Sequence, residues 1–222
     1  MQKRIAATDA NASGQIPPSV GDLPYLESIT FHKLPNLVGP IQPTIAKLTK
    51  LKSLFITYTN ISGPIPAFLG QLKNLELIKL SFNNLSGPIP NCLISGPIPA
   101  SLGNLNPDRV DLSRNKLEGD ASMLFSSKKT TQILDLSRNK FEFDLSHLTF
   151  PKQSLIWLDL NHNNIYGNIP VALTTVKYLQ QFNVSYNPRL SGKIPQGGEL
   201  QRFDKYAYFH TKLCGSPLPP CK

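Results

Sequence analysis

The sequence predicts an α/β repeat solenoid, in which short parallel strands form a concave sheet and short helical or 3-10 segments form the convex side. The first observation behind this prediction is a recurring tag of the type Ser-Gly-X-Ile-Pro. The second is an alternation of apolar and polar residues before each tag, at a spacing of about 24 residues. A fixed period of this length is typical of stacked coils that each cover the apolar face of the next. The tag glycines are Gly14, Gly39, Gly63, Gly87, Gly96, Gly119, Gly167 and Gly192.

The repeating unit is clearest from Leu75 to Pro90, which fits LxxLxLxxNxLSGxIP, the pattern of the leucine-rich repeat. Alternating apolar residues such as Leu158 and Leu160 place one side of a short strand in the core. A proline after the isoleucine ends the second strand, because it has no N–H for a ladder. Asparagines follow the strands where the chain must turn, and their amides can bond the backbone groups that the turn leaves free. These are Asn83, Asn115, Asn139, Asn163 and Asn187.

Two intervals depart from the period. The interval of 48 residues between Gly119 and Gly167 is two units, with Phe143 in place of a tag glycine. The interval between Gly87 and Gly96 is only 9 residues, too short for a coil, and indicates a deletion between two similar repeats. We therefore divide the chain into residues 1–13, a remnant of an N-terminal region without a cap; 14–197, the repeats, with an irregular short repeat at 88–99; and 198–222, a C-terminal cap.

The composition narrows the function classes. The formal net charge is +9 and the pI is near 9.5, so the surface could attract nucleic acid, anionic lipid or an acidic polysaccharide. The basic residues are scattered, with only short groups such as Lys47/Lys50/Lys52 and Lys128/Lys129. A nucleic-acid-binding protein usually shows a denser stripe with interleaved aromatic residues, so we expect no nucleic-acid partner.

The chain shows neither a membrane span nor a secretion signal. No stretch reaches the roughly 20 apolar residues that a transmembrane helix needs. Residues 1–14 begin with a basic pair but lack an apolar segment. The pattern leaves two alternatives: a cytosolic protein, or a chain without its natural beginning.

The chain resembles the polygalacturonase-inhibiting proteins of plant cell walls. The tag within a 24-residue unit is the plant-type variety of the repeat, shared with many receptor kinases. More selective are the segments GGELQRFD (197–204), YFH (208–210) and LCGSPLPPC (213–221), together with VDLSRNKLEGDA (110–121). The resemblance runs from about Gly14 to the C-terminus. It implies a right-handed plant-type leucine-rich-repeat superhelix.

The resemblance also implies a function. The expected protein is a secreted, monomeric, disulfide-bonded glycoprotein of the plant cell wall. It would act in defence by occluding fungal or insect endopolygalacturonases with its concave face, and it is not an enzyme. No cofactor is implied. Independently of the resemblance, the basic residues away from the three aspartates make demethylated pectin, a polyanion, a further candidate ligand, and an ordinary basic surface is the alternative. Members of the family begin with a signal peptide and a cysteine-paired cap and carry about ten repeats, whereas this chain shows neither feature and fewer repeats.

The concave face supplies the candidate interface. The central outward positions are Thr30, Phe55, Lys79, Asp111, Asp135, Asp159 and Asn183, and strands in a sheet lie about 5 Å apart. Arginine and aromatic residues beside them are the usual anchors of protein interfaces. The flanking candidates are Arg109, Arg114, Arg138, Trp157, His162, Gln181 and Tyr186.

An alternative for the three aspartates is that they are solvated strand residues, partly neutralised by Arg114 and Arg138, that serve solubility. A second alternative, an acid/base pair of Asp159 and His162, lacks a nucleophile or a second base. We favour the interface and place most weight on Asp111, by the resemblance.

Cysteines and sequons complete the candidate sites. Cys214 and Cys221 close a short loop and are interpreted as a disulfide that caps the last coil. The family usually has another cysteine where this chain has Lys212, and Cys92 is left as a free thiol beside the deletion. The three cysteines and four histidines show no ligand spacing, so we expect no metal site. Sequons that would be glycosylated in the secretory pathway begin at Asn11, Asn60, Asn84 and Asn183.

Three other functions are weighed. A recognition fragment of a receptor-like protein is disfavoured by the C-terminal cap. Ice binding, known for a relative built on the same plan, needs a regular array of Thr or Asn, whereas the outward positions mix Phe, Lys and Asp. An inactive copy would fray in its first coils, because a terminal cap normally covers their apolar edges.

Overall fold

The computed structural model describes residues 2–9, 11–89 and 102–221. They fall into two compact units, Met1–Leu117 and Glu118–Lys222. Of the irregular short repeat predicted at 88–99, residues 90–99 lie outside the described residues. They include Cys92 and the tag glycine Gly96. In each unit, short parallel strands alternate with short helical segments, so the predicted leucine-rich-repeat solenoid is confirmed. All helical segments of the described residues are 3-10 helices.

The first unit has one main ladder of parallel strands, in the order β1-β2-β3-β4-β6. A second, short pairing joins the end of β3 to β5. The strands are β1 (Arg4–Thr8), β2 (Ser28–Gly39), β3 (Ser53–Gly63), β4 (Leu77–Lys79), β5 (Asn84–Pro88) and β6 (Arg109–Asp111). The 3-10 helices are Pro18–Asp22, Pro43–Lys47, Ala67–Gln71 and Leu102–Asn104.

Strand β1 lies in the segment for which the sequence predicted no element. It pairs in parallel with β2 along its whole length, with Ala6 opposite Thr30. The next coil buries Ile16, Leu26 and Ile29 completely. The ladder of strands therefore begins before the first recognisable tag.

The second unit contains two shorter ladders. Strands β8, β10 and β12 form one parallel ladder, and β11, β13 and β14 form the other, while β7 pairs with β9. The strands are β7 (Lys116–Gly119), β8 (Ile133–Asp135), β9 (Lys140–Phe141), β10 (Trp157–Asp159), β11 (Tyr166–Gly167), β12 (Gln181–Asn183), β13 (Arg189–Lys193) and β14 (Lys212–Cys214), and the first two residues of β7 belong to the first unit. The 3-10 helices are Ser122–Leu124, Val171–Thr175, Gly198–Arg202 and Lys205–Tyr208.

The asparagines hold the coils as predicted. The amide of Asn187, which is fully buried, donates to the carbonyls of Leu160, Val184 and Ser185 at 2.9–3.3 Å. Its oxygen accepts from the backbone N–H of Ile165 at 3.0 Å. Asn83 in the first unit makes the same kind of contacts with backbone on its own and the preceding coil. Each asparagine thus satisfies polar backbone groups that burial would otherwise make costly.

The last coil is closed by the C-terminal segment. Its largest buried side chain is Tyr208, which packs near Phe182 and donates from its hydroxyl to the carbonyl of Leu200 at 3.2 Å. Burial raises the pKa of Tyr208 to about 12. Cys214 and Cys221 form a disulfide bond, with their Cα atoms 5.0 Å apart. The segment therefore covers the apolar side of the last repeat.

Candidate functional site

The outward strand positions, which we call the sheet face, are aligned by the strand register. In the first unit Thr30 lies opposite Phe55, Phe55 opposite Lys79, and Lys79 opposite Asp111. The residues on either side of these positions, such as Ile78 and Val110, are buried. The predicted alignment of the outward positions is therefore confirmed within this unit.

Asp111 uses its carboxylate locally. Oδ1 accepts hydrogen bonds from the hydroxyl and the backbone N–H of Ser113, at 2.7 and 3.1 Å, and Oδ2 accepts from the Ser81 hydroxyl at 3.0 Å. The Lys79 ammonium lies 3.8 Å away, and only 15% of the Asp111 side chain is exposed. Asp111 thus fastens its own turn to the neighbouring coil and offers little free surface.

The second unit repeats this turn with a more accessible sheet face. Asp135 lies opposite Asp159, and Asp159 opposite Asn183. Each side chain accepts from a backbone N–H two residues further on, at 2.9–3.0 Å. This is an Asx turn. Because Asn183 makes the same turn, the turn requires an oxygen and not a charge.

In each unit a second row of side chains follows one edge of the sheet, and the two rows are together called the edge ladder. Its members share a left-handed backbone, with φ between +52° and +56°. Each directly precedes the asparagine that follows a strand (the ladder asparagine) or the residue that takes the place of that asparagine in its coil. Non-glycine residues rarely adopt this conformation. The members are Lys33, Tyr58, Phe82 and Arg114 in the first unit, and Arg138, His162, Tyr186 and His210 in the second.

The edge ladder of the first unit is stacked. The rings of Tyr58 and Phe82 lie parallel with their centroids 3.9 Å apart, and the Arg114 guanidinium lies over the Phe82 ring, 4.7 Å from its centroid. His32 meets Tyr58 edge-on at 5.4 Å, and its Nδ1 is within 2.8 Å of the Thr57 hydroxyl. An arginine and two aromatic rings are therefore held beside one another at the surface.

The second unit has a matching stack. The His162 and Tyr186 rings lie parallel at 4.0 Å, and His210 follows Tyr186 at 4.6 Å. Phe209, which is 46% exposed, lies against His210 at 4.2 Å. The Nδ1 of His162 is within 2.6 Å of the Asn161 side-chain oxygen. These contacts favour an interface over acid/base chemistry for His162.

The remaining predicted interface residues differ in exposure. Trp157 on β10 is 38% exposed and lies opposite the exposed Gln181 on β12. Arg138 is exposed within the edge ladder, whereas Arg109 on β6 is half-buried opposite Leu77. The accessible members of the predicted set are thus concentrated in the second unit and along the edge ladder.

The sequence analysis missed Tyr58, Phe82, Phe209 and His210. The signal that could have found three of them is their position, one residue before the ladder asparagine or the residue that replaces it. Phe209 lies outside the strand pattern and carries no such signal. The repeat template had treated these positions as variable.

The predicted glycosylation sites differ in access. Asn11 and Asn60 are exposed, and Asn84 and Asn183 are half-buried. The Asn60 amide donates to the Pro35 carbonyl at 2.7 Å, and the Asn84 amide donates to the Asn60 side-chain oxygen at 3.2 Å. A glycan on Asn60 or Asn84 would therefore take one of the two hydrogens of an amide nitrogen that already donates a hydrogen bond.

Two classes of site are absent from the part of the chain that the structure describes. Among residues 2–9, 11–89 and 102–221, no cluster of three His, Cys, Asp or Glu side chains could hold a metal ion. The same residues include no helix that is long and apolar enough to cross a membrane.

Comparisons with known proteins place this chain in a family. The model of the Leucine Rich Repeat family matches residues 74–105 and 154–176. Polygalacturonase inhibitor 1 of Arabidopsis thaliana is 54% identical over 251 residues, covering 95% of this chain and 75% of the relative. The polygalacturonase inhibitor of Pyrus communis is 52% identical, with the same coverage. This chain belongs to the polygalacturonase inhibitor family.

Family membership identifies the chain as a leucine-rich-repeat protein that binds another protein, with an inhibitor role, and not as an enzyme. The aligned span of 251 positions is longer than the chain of 222 residues. The matched region of the relative therefore contains residues that this chain lacks, which agrees with the deletion predicted from the 9-residue interval.

A solved structure extends the comparison to the fold. A plant ice-binding protein is 42% identical, with a TM-score of 0.61, over 98% of this chain and 83% of that protein. The sheet face of the present inhibitor-family chain mixes Phe55, Lys79 and Asp111 and so lacks a regular array. The two proteins share the architecture of the repeat.

Proposed function

We propose that this chain inhibits a fungal or insect endopolygalacturonase in the plant cell wall by covering the active cleft of that enzyme with its sheet face and edge ladder. The kinship with polygalacturonase inhibitors of Arabidopsis thaliana and Pyrus communis supports the partner. The binding surface and the secretion to the cell wall are parts of the proposal that the kinship alone does not supply.

The observation that carries the proposal is the stacked edge ladder beside an exposed tryptophan. Tyr186 and Trp157 are large side chains that remain 40% and 38% exposed, and His162 and His210 hold Tyr186 between them. Aromatic residues dominate interface energetics, and a side chain that is already immobilised loses less entropy on binding. The ladder therefore offers anchors that are ordered before the partner arrives.

The acidic residues of the sheet face support a basic surface on the partner. Asp135 and Asp159 lie side by side in register, although their turns need only an oxygen. Two adjacent carboxylates on an otherwise basic chain favour a basic partner surface, and such complementarity affects mainly specificity and the rate of association. Asp111 contributes less directly, because its carboxylate is engaged by Ser81, Ser113 and Lys79.

The test is a titration of folded protein against several fungal endopolygalacturonases, measuring the reducing ends released from polygalacturonate. We expect dose-dependent inhibition, which Tyr186→Ala weakens at least tenfold. Tyr178→Ala is the matched control, because Tyr178 is 55% exposed and lies between the 3-10 helix Val171–Thr175 and strand β12, outside the sheet face and the edge ladder. If Tyr186→Ala and Tyr178→Ala leave the inhibition equally unchanged, the edge ladder is not part of the interface. No inhibition by a folded sample would exclude the function.

Pectin is a second candidate ligand. The chain carries a net charge of +9, and the edge ladder displays Lys33, Arg114 and Arg138 at its surface. Demethylated pectin is a polyanion, so contact with these groups would be electrostatic and would weaken steeply between 50 and 500 mM salt, whereas a packed protein interface would change less. Binding measured across that range separates the two ligands.

A further inference from the structure

Strand β1 (Arg4–Thr8) has an open edge in the main ladder of the first unit. Among the described residues, β2 is the only strand that pairs with β1. The side chains of β1 alternate between exposed and half-buried, and Ile5 is half-buried although its register partner Ile29 is completely buried. One side of β1 is therefore accessible to a further strand.

The contacts with β2 show which backbone groups of β1 point to the open side. The Lys3 carbonyl accepts from the N–H groups of Glu27 and Ser28 at 2.8 and 3.1 Å, and the Asp9 N–H donates to the His32 carbonyl at 3.1 Å. Successive residues of a strand direct their N–H and C=O groups to opposite sides, so the odd-numbered residues face β2. The residues whose backbone groups face the open side are therefore Arg4, Ala6 and Thr8.

This edge lacks the features that usually prevent strand pairing. Natural edge strands are protected by proline, by a charged side chain that points inward, or by a bulge. The β1 sequence, Arg-Ile-Ala-Ala-Thr, contains no proline, and its inward side chains are those of Ile5 and Ala7. The Arg4 carbonyl accepts from the exposed Gln2 amide at 3.2 Å, a donor that a neighbouring strand would replace.

The two ends of the segment carry opposite charges. Lys3 directly precedes β1 and Asp9 directly follows it, and their side chains are 67% and 62% exposed. Each forms an ion pair within the first unit, Lys3 with Glu27 and Asp9 with Lys33. Such exposed pairs contribute little, so the two charges can interact with a further group as well. The segment is therefore complementary in charge to an antiparallel copy of itself.

We propose that the open edge of β1 pairs with β1 of a second copy of this chain, in antiparallel orientation about a two-fold axis at Ala6. Ala6 then lies opposite Ala6 of the second copy, and Arg4 lies opposite Thr8 of the second copy. Each such pair exchanges two hydrogen bonds. The contact is isologous, so it closes as a dimer, in contrast to the monomer that the family resemblance implies. It does not depend on the proposed inhibition.

The side chains select this register. Lys3 of each copy lies opposite Asp9 of the other, and Ile5 lies opposite Ala7, so both the charges and the inward apolar groups find partners across the axis. A shift of the register by two residues would place Asp9 opposite Ile5 and leave Lys3 without its opposite charge. The pairing also covers Ile5, the apolar side chain that β2 leaves half-buried.

The first experiment measures association of the full chain. Sedimentation velocity should show a dimer whose fraction rises between roughly 10 and 500 µM protein, because one pair of strands is a small interface. Ala6→Pro removes the central N–H of the open side but keeps the bonds to β2, so it should abolish the dimer. Ala6→Val is the matched control and should retain the dimer. Urea unfolding verifies that both variants are folded.

A chain that stays monomeric over this range would leave the edge to some other strand and overturns the proposal. A dimer that persists in Ala6→Pro overturns it as well, because that dimer would use another surface.

Exchanging the charges tests the register. Lys3→Glu and Asp9→Lys each place like charges opposite one another and should raise the dissociation constant of the dimer at least tenfold. An equimolar mixture of the two variants should associate as tightly as the parent, because opposite charges then meet on both sides of the axis. Effects on the pairs with Glu27 or Lys33 within one copy would persist in the mixture. A mixture that associates no more tightly than the separate variants overturns the register.

A disulfide reports the axis directly. In a Cys92→Ser background, Ala6→Cys should form a disulfide between copies under oxidation, because the Cα atoms of such a pair lie about 5.5 Å apart. Thr8→Cys is the control, because its two copies would lie about 13 Å apart along the strands. Equal yields from the two variants, or no disulfide in either, would contradict the pairing at Ala6.

Discussion

At the scale of single residues, the turn after each outward position needs an oxygen acceptor, and either Asp or Asn supplies it. Asp135, Asp159 and Asn183 all accept from the backbone N–H two residues ahead. In the sequence, three aspartates at equivalent positions of consecutive repeats predict an acidic surface. The structure shows that the turn requires only an oxygen, because the uncharged amide of Asn183 makes the same turn as the two carboxylates.

Asp111→Ala should lower the free energy of unfolding by about 1–3 kcal/mol, because the two Ser113 donors and the Ser81 hydroxyl lose an acceptor in a mostly buried place. Denaturation in urea measures the change. Asp111→Asn keeps one oxygen for Ser113 and should lose less than half as much. Equal losses for the two variants would show that the charge, through Lys79, matters more than the turn.

Asn187→Ala should be the more severe change, at about 3 kcal/mol or more. Its amide is fully buried and satisfies three carbonyls and one N–H on two coils, each costly to leave without a partner. Asn164→Ala is the control, because Asn164 donates to Glu142 at an exposed position and should cost less than about 1 kcal/mol. A comparable loss in both variants would contradict the role assigned to the buried amide.

The asparagine roles could be predicted because the chemistry is local and repeats every 24 residues. The Ser81 partner of Asp111 could not, since it lies 30 residues away in sequence, across the irregular interval. A template with a fixed period of 24 residues cannot predict a contact between residues that are separated by a different interval. The same limit hid a pocket of about 420 Å³ that Trp157 on β10 lines together with Tyr206 in the C-terminal cap.

At the scale of elements, the tag glycines and the edge ladder are two rows of left-handed residues with different compositions. Gly119 and Gly167 have φ of +73° and +86°. Phe143 stands at the equivalent tag position without a positive φ, and it is buried beside Phe125 at a centroid distance of 5.7 Å. The sequence identified the exchange but not its result, in which apolar packing replaces a glycine turn and β9 is only two residues long.

The left-handed backbone of the edge ladder makes a prediction for Arg138, whose φ is +54°. Arg138→Val should destabilise the protein by about 1–2 kcal/mol, because a β-branched side chain is strained in this region. Arg138→Asn should be within about 0.5 kcal/mol of the parent, since Asn tolerates it.

The matched control for Arg138→Val is Lys140→Val. Lys140 is also basic and exposed but lies in strand β9, where valine is favoured. Urea denaturation should show a loss at position 138 and none at 140. Equal effects at the two positions would mean that the edge ladder is not strained.

At the scale of the whole molecule, ion pairs join coils in both units. Glu27 in the first unit lies 2.9 Å from Lys3 and 3.4 Å from Lys52, one coil before and one coil after. In the second unit Glu142 pairs with Arg189, two coils further along the chain. The hydrogen bonds and charge of Lys3 and Lys52 lower the pKa of Glu27, and those of Arg189 lower the pKa of Glu142.

These lowered pKa values set a direction for acid stability. A carboxyl group whose pKa is lower in the folded protein binds fewer protons there than in the unfolded chain, so stability rises with pH in that range. The contribution is complete above the unfolded value of about 4.3 for Glu and is lost as the pH falls through the folded value. Protonation also increases the positive charge of a chain that is already at +9, and the resulting self-repulsion acts in the same direction.

The urea midpoint should therefore stay nearly constant from pH 7 to about 5 and fall below about 4.5. Glu142→Gln removes one lowered pKa and should flatten that fall, whereas self-repulsion alone would leave its slope unchanged. The control is Glu118→Gln, because Glu118 is exposed and has no ion pair among the residues that the structure describes. A slope that is identical in the parent and both variants would assign acid unfolding to net charge, whereas a selective effect at Glu142 would assign it to the pair that ties the coils together.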